Sequence, residues 1–121
     1  MPYSATAKNL MLDAFGAAAT HLSLHTGNPG STGASEVTGG SPAYARKAAQ
    51  WAAASGGSKA LSNAPLFDVP AQTTITHVGV WDSATAGRFL GYIDTTDEAF
   101  AAQGTYQVTS GTVDLNAVAS A

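Results

Sequence analysis

Thr74-Ile75-Thr76-His77-Val78-Gly79-Val80-Trp81-Asp82 leads through Ser83-Ala84-Thr85-Ala86-Gly87 into Phe89-Leu90-Gly91-Tyr92. These residues read as a strand, a short polar turn and a second strand folded back as a hairpin. β-branched and aromatic residues dominate the first run, and glycine and small polar residues fill the connection. Both faces of Thr74–Trp81 carry bulk. Val78 and Val80 point one way, while Ile75 and Trp81 point the other, beside His77. A strand apolar on both sides is expected in the middle of a sheet. Asp82 is placed to cap the turn through its carboxylate.

Working outward, Leu22 and Leu24 alternate with His21, Ser23 and His25, which predicts a half-buried strand over His21–Thr26. Before it, Ser4 can cap a helix over Ala5–Phe15. Ala7, Leu10, Met11, Ala14 and Phe15 fall on one stripe, and Gly16 is a plausible stop. Three turns do not make a stable helix alone, so this one must dock on its own sheet or on a neighbouring subunit. Gly27–Pro42 holds five glycines and two prolines and reads as a long loop, pinned near its end by Glu36 and Val37. Tyr44–Ala54 reads as a strand, with a helix as the alternative.

Lys59–Val69 reads as extended, with Leu61, Leu66, Phe67 and Val69 as anchors and Pro65 and Pro70 keeping it at an edge or ending it. Asp94–Gln103 reads as a loop or short helical turn. Thr105–Val118 is the last strand region, and its apolar phase flips across Ser110-Gly111, which predicts a bulge. No helices recur between strands. The expectation is a single mainly β domain over residues 1–121: an antiparallel β-sandwich or rolled sheet of about six strands with one N-terminal helix.

The chain has 121 residues, 45% hydrophobic but only 11% charged. Soluble domains average about 25% charged residues, so the surface is poor in charge. Either the lineage favours small residues, or much of the surface is covered in an assembly. The five basic residues include one adjacent pair, Arg46-Lys47, and the net charge is −3. That argues against a nucleic-acid partner, which requires a clustered basic stripe. There is no cysteine, hence no thiolate nucleophile, disulfide or cysteine metal site. No apolar run approaches the ~18 residues of a membrane span. The N-terminus lacks the basic and long apolar segments of a signal peptide.

The candidate chemistry is sparse. On a strand, His21 and His25 would stand about 13 Å apart, too far to share one metal ion. His77 reads as a hydrogen-bonded core or interface histidine. Asp94, Asp97 and Glu98 read as a solvated acidic turn without calcium-loop spacing. No nucleophile elbow or phosphate loop occurs. No catalytic, cofactor or metal residues are therefore assigned. Tyr44, Trp51, Trp81, Tyr92 and Tyr106 would form a glycan-stacking surface only if exposed together.

Several stretches occur in an order that resembles a family of small tailed-bacteriophage virion proteins. They are Leu22-Ser23-Leu24-His25-Thr26-Gly27-Asn28-Pro29-Gly30, Glu36-Val37-Thr38-Gly39-Gly40, Tyr44-Ala45-Arg46, Trp51-Ala52-Ala53-Ala54-Ser55-Gly56-Gly57, Leu61-Ser62-Asn63-Ala64 and Thr76–Asp82. Members are labelled tail fibre or minor tail proteins, and the alanine-rich style is similar to that of phages of actinobacteria. Ser41-Pro42-Ala43 looks like an insertion before Tyr44. The resemblance implies a non-enzymatic, multi-copy virion component without a cofactor, assembled in the host cytoplasm. Its partners would be copies of itself and other virion proteins. The family label favours a tail-associated role; capsid decoration and a receptor- or glycan-binding module are the alternatives. Within this reading the partner contact falls on the Gly27–Pro42 loop, through Asn28, Pro29, Glu36, Val37 and Pro42.

Overall fold

A computed structural model describes residues 3–115. One helix, α1 (Ala5–Ala18), precedes eight strands: β1 (His21–His25), β2 (Lys47–Ala48), β3 (Ser58–Ala60), β4 (Leu66–Val69), β5 (Thr73–Trp81), β6 (Phe89–Phe100), β7 (Gly104–Gln107) and β8 (Thr112–Asp114). Every strand pairing is antiparallel. The main sheet has the order β2-β1-β5-β6, and two ribbons pair β3 with β8 and β4 with β7. The fold is thus mainly β with an N-terminal helix, as the sequence pattern indicates.

β5 lies inside the main sheet because both its edges are used. Leu22 faces Val80 and Leu24 faces Val78 across β1, while Val80 faces Gly91 across β6. The β5–β6 turn closes as expected: the Arg88 amide donates to Asp82 Oδ1 at 2.6 Å. Leu22, Leu24, Val78 and Val80 meet Phe67 and Val69 of β4, and Val108, in one buried cluster. The β4–β7 ribbon therefore forms the second layer of a sandwich. Each such buried side chain contributes about 1.5–3 kcal/mol relative to exposure.

Ile75 joins this same cluster rather than the opposite face. The β5–β6 register slips between Ile75 and His77, where β6 carries extra residues between Asp94 and Glu98. The irregularity breaks simple alternation, which the sequence pattern alone extends unbroken.

α1 keeps its Ser4 cap, whose hydroxyl accepts from the Ala7 amide at 3.1 Å, but it runs past Gly16 to Ala18. Gly16 is not a stop. A Cβ there would collide with the Lys59 side chain, so the missing side chain gives Lys59 its path across the helix. The docked face also differs from the expected stripe. Lys8 and Leu12 are buried, whereas Leu10 is 67% and Met11 38% exposed. The reason is a polar dock. Asp13 Oδ1 accepts from Lys59 Nζ at 2.8 Å and the Ala54 amide at 3.0 Å, and Asn9 Oδ1 accepts from the Gly57 amide at 3.0 Å. Turn amides need acceptors when covered, and satisfying them rotates the apolar stripe outward. Of that stripe only Phe15 packs inward, edge-on to Trp51.

Other expectations shift similarly. β1 is buried on both faces, with Ser23 and His25 fully enclosed. Tyr44–Ala54 is not helical, yet only Lys47–Ala48 pairs as a strand, supplemented by a bridge from Trp51 to Leu61. Asp94–Phe100 is the second half of β6 rather than a loop. The phase flip at Ser110-Gly111 is not a bulge: the chain leaves β4 and takes up β3, making two strands in two ribbons. The end of that expected strand, 116–118, lies outside the described residues.

Candidate functional site

The long loop lies back on β1 instead of standing free. Asn28 Oδ1 accepts from the Gly30 amide at 2.8 Å, starting the turn. The Thr26 amide donates to Ser35 O at 3.0 Å, and the Val37 amide to Leu24 O at 3.0 Å. Gly33, at φ 80°, passes under Trp81, where a Cβ would strike the indole ring. Pro29 and Val37 are buried within the chain. Pro42 stays at the surface, its carbonyl accepting from Gln103 Nε2 at 3.2 Å. Among the five residues read as contact positions, Asn28 and Pro42 are exposed and Glu36 is half-buried.

Glu36 is held by a network centred on Arg46. Arg46 Nε and Nη2 reach the two Glu36 oxygens, both at 2.9 Å, and Tyr44 Oη donates to Glu36 Oε2 at 2.8 Å. Arg46 Nη1 donates to Ser83 O at 3.1 Å and Ala86 O at 2.8 Å. Its guanidinium also stacks 3.6 Å from the centre of the Trp81 ring. One side chain, 9% exposed, thereby ties the long loop, the strand end and the β5–β6 turn together. The fork geometry suits arginine and not lysine. Burial by itself would raise the Glu36 pKa, but hydrogen bonds from Arg46 and Tyr44 outweigh it and hold the carboxyl below its ordinary value. Burial also pushes the Tyr44 phenol far above its ordinary range.

Beneath this network is a chain of buried hydrogen bonds. Trp81 Nε1 donates to Ser23 Oγ at 2.8 Å, Ser23 Oγ lies 2.6 Å from His25 Nε2, and His25 Nδ1 lies 2.8 Å from Ala34 O. A carbonyl only accepts, so Nδ1 carries the proton and Nε2 accepts from the serine hydroxyl. Burial lowers the His25 pKa and keeps the ring neutral. A serine bonded to a histidine has the form of an activated nucleophile. Here both residues are fully buried, and the histidine is oriented by a carbonyl rather than a carboxylate. The pair fastens the loop to the sheet.

His77 is elsewhere on the same face. Its Nδ1 lies 2.7 Å from Thr76 Oγ1, and its Nε2 lies 3.7 Å from Asp94. His21 bonds Thr20. Asp94, Asp97 and Glu98 are exposed along β6. Among the described residues, no group of three or more His, Asp or Glu is arranged to hold a metal ion, and no helix is long and apolar enough to cross a membrane. The aromatics do not gather on the surface. Trp81 is buried, Tyr44 stacks on Phe67, Tyr106 lies near Phe100, and Tyr92 alone of the five is exposed.

Glu36-Val37 and Tyr44-Ala45-Arg46 are the segments this network joins. A family model described as podophage GP4 fiber I protein gp80 matches residues 2–116, spanning every element of this fold. The chain belongs to this phage fibre family. No curated protein matches it. Membership gives the phage fibre protein a bacteriophage virion setting and a tail association. Capsid decoration finds no support in it. The stretches that carry the sequence resemblance are now seen to be structural: Asn28 starts the loop turn, Arg46 clamps Glu36, and Asp82 closes the β5–β6 turn. The Glu36–Arg46 pairing has no sequence signal beyond the proximity of the two motifs.

Proposed function

We propose that this fibre-family protein is a non-enzymatic structural module present in many copies on the phage tail. The family match over residues 2–116 carries the reading. The outward face of α1 supports it. The charged residues of α1 are Lys8, which is buried, and Asp13, which is paired with Lys59. Toward solvent the helix presents Leu10, Met11 and Ala14. A solvated helix face ordinarily carries charge, whereas this one suits packing against a neighbour. The exposed Asn28 and Pro42 of the long loop supply further contact positions. Copies of itself and other virion proteins are the partners, assembly takes place in the host cytoplasm, and an actinobacterial host fits the alanine-rich composition.

Particle imaging with a labelled copy tests the location: density on the tail is expected, and density confined to the head overturns the reading. Self-association is tested by light scattering of the purified chain. Leu10→Glu is expected to shift an oligomer toward monomer without loss of the fold. A wild-type chain that is monomeric at every concentration and absent from virions overturns the assembly role.

A further inference from the structure

The β5–β6 register slip sets three residues of β6, Thr95, Thr96 and Asp97, opposite the single Thr76. Bulges re-aim side chains and are over-represented next to active sites. Thr95 Oγ1 donates to Thr76 O at 3.1 Å, which fixes this one in place. Because alternation fails here, Thr95, Thr96, Asp97 and Glu98 all line a single cleft of about 450 Å³. Residues 106–110 form its opposite wall. That wall is also held: Gln107 Nε2 donates to Ala64 O at 3.2 Å, and the Val108 amide to Pro65 O at 3.0 Å. The volume falls at the small end of ligand pockets, which run from about 300 to 1,000 Å³.

The lining is chemically mixed. Val78 and Val108, both buried, supply an apolar floor. Around it, the hydroxyls of Thr96, Thr109, Ser110 and Tyr106 and the carboxylates of Asp97 and Glu98 have no hydrogen-bond partner among the described residues. Among those residues no Lys, Arg or His lines the cleft, so an anionic ligand would meet two carboxylates with nothing to neutralise it. A wholly apolar ligand would strip water from the polar groups without replacing its hydrogen bonds. A compact cation would engage the two carboxylates and leave the four hydroxyls unused. A sugar ring meets all of these demands, with an aliphatic C–H face and a rim of hydroxyls that both donate and accept. We infer that this cleft binds a neutral sugar residue, its hydroxyls donating to Asp97 and Glu98 and pairing with the threonine and serine hydroxyls, its C–H face on Val78 and Val108. The inference goes beyond the tail role and is independent of α1.

The test is an NMR titration of the purified full chain with glucose, galactose, mannose and N-acetylglucosamine in turn, with glucuronate and spermidine as charged probes. At least one neutral sugar is expected to bind saturably in the millimolar range, with shift changes confined to Thr95–Glu98 and Tyr106–Ser110. Glucuronate should bind about tenfold more weakly than that sugar or not at all. Asp97 and Glu98 are exposed, so Asp97→Ala/Glu98→Ala should keep the fold and weaken sugar binding about tenfold. Asp94 is exposed and does not line the cleft, so Asp94→Ala should leave binding unchanged. A methyl glycoside that binds as tightly as the free sugar assigns the site to glycan-linked residues, and one that does not assigns it to free sugars. The proposal is overturned if none of the four sugars binds, if the shifts fall outside the two walls, or if the double alanine variant binds as well as the wild type. Spermidine binding to these residues more tightly than any of the sugars also overturns it, in favour of a cation site.

Discussion

Replacing Arg46 with methionine should be among the most damaging single changes in this protein, and its cost should depend on pH. Methionine keeps most of the apolar stem but removes the bidentate pair with Glu36, both carbonyl contacts in the turn and the stacked cation over Trp81. Removing one partner of a buried pair costs about 3–5 kcal/mol, most of it from the charge left behind. Glu36 is 21% exposed and retains Tyr44, which favours the lower end for that loss. Losing the cation–π contact adds about 1 kcal/mol. For a chain of this size, 3–5 kcal/mol corresponds to roughly 12–20 °C in Tm.

The assay is urea unfolding at several pH values. In the wild type, Glu36 titrates below its ordinary value, so it stabilises the fold above that value and the gain is lost as pH falls through the folded pKa. In Arg46→Met, burial is left to raise the folded pKa. The penalty is then full near pH 7 and is partly relieved as acid protonates Glu36, so the difference should narrow toward pH 4 to the part left by the lost carbonyl and cation–π contacts. Adding Glu36→Gln should recover about 2 kcal/mol of the loss at pH 7, as expected for directly coupled groups. A loss under about 1 kcal/mol, a penalty independent of pH, or simple additivity of the two substitutions would refute the clamp.

Gly79→Ala should destabilise by about 2–4 kcal/mol, although alanine is ordinarily no worse than glycine in a strand; its Cβ would collide with Ser23 Oγ and His25 Nε2, both fully buried. A change in urea midpoint corresponding to less than half that would show that the Ser23–His25 pair yields easily. His25 gives a second pH dependence: burial lowers its folded pKa, so the unfolded chain takes up the proton first and stability should fall as pH drops through the ordinary value of 6.5. That slope between pH 7 and 5.5 should vanish in His25→Gln, even if the variant is less stable throughout, and a slope that persists would assign the titration to another group.

Much of the architecture is legible in residue pattern. Alternation in Leu22–Leu24 and Val78–Val80 marks paired strands, and Asp82 with Gly87 marks the hairpin turn, because strand faces and turn conformations are local properties of neighbouring residues. Ser4 marks the helix start for the same reason. Where the reading departs from the structure, a distant partner decides. Gly16 looks like a helix stop until Lys59 is seen crossing it. The phase flip at Gly111 looks like a bulge until β7 and β8 are seen pairing with different strands.

The same division holds for the site. The sequence alone determines a mainly β domain with one helix, few charges and no thiol chemistry, and its ordered motifs carry the likeness to phage virion proteins. Tertiary structure decides what those motifs do. Glu36 and Arg46 are ten residues apart in sequence, with no regular element to set their relation, and they form a pair because the loop folds back over Trp81. It also decides which face of α1 is left outward. A helix stripe records only that apolar residues share a side; the acceptors Asn9 and Asp13, meeting the amides of a turn more than forty residues away, settle which side meets the sheet.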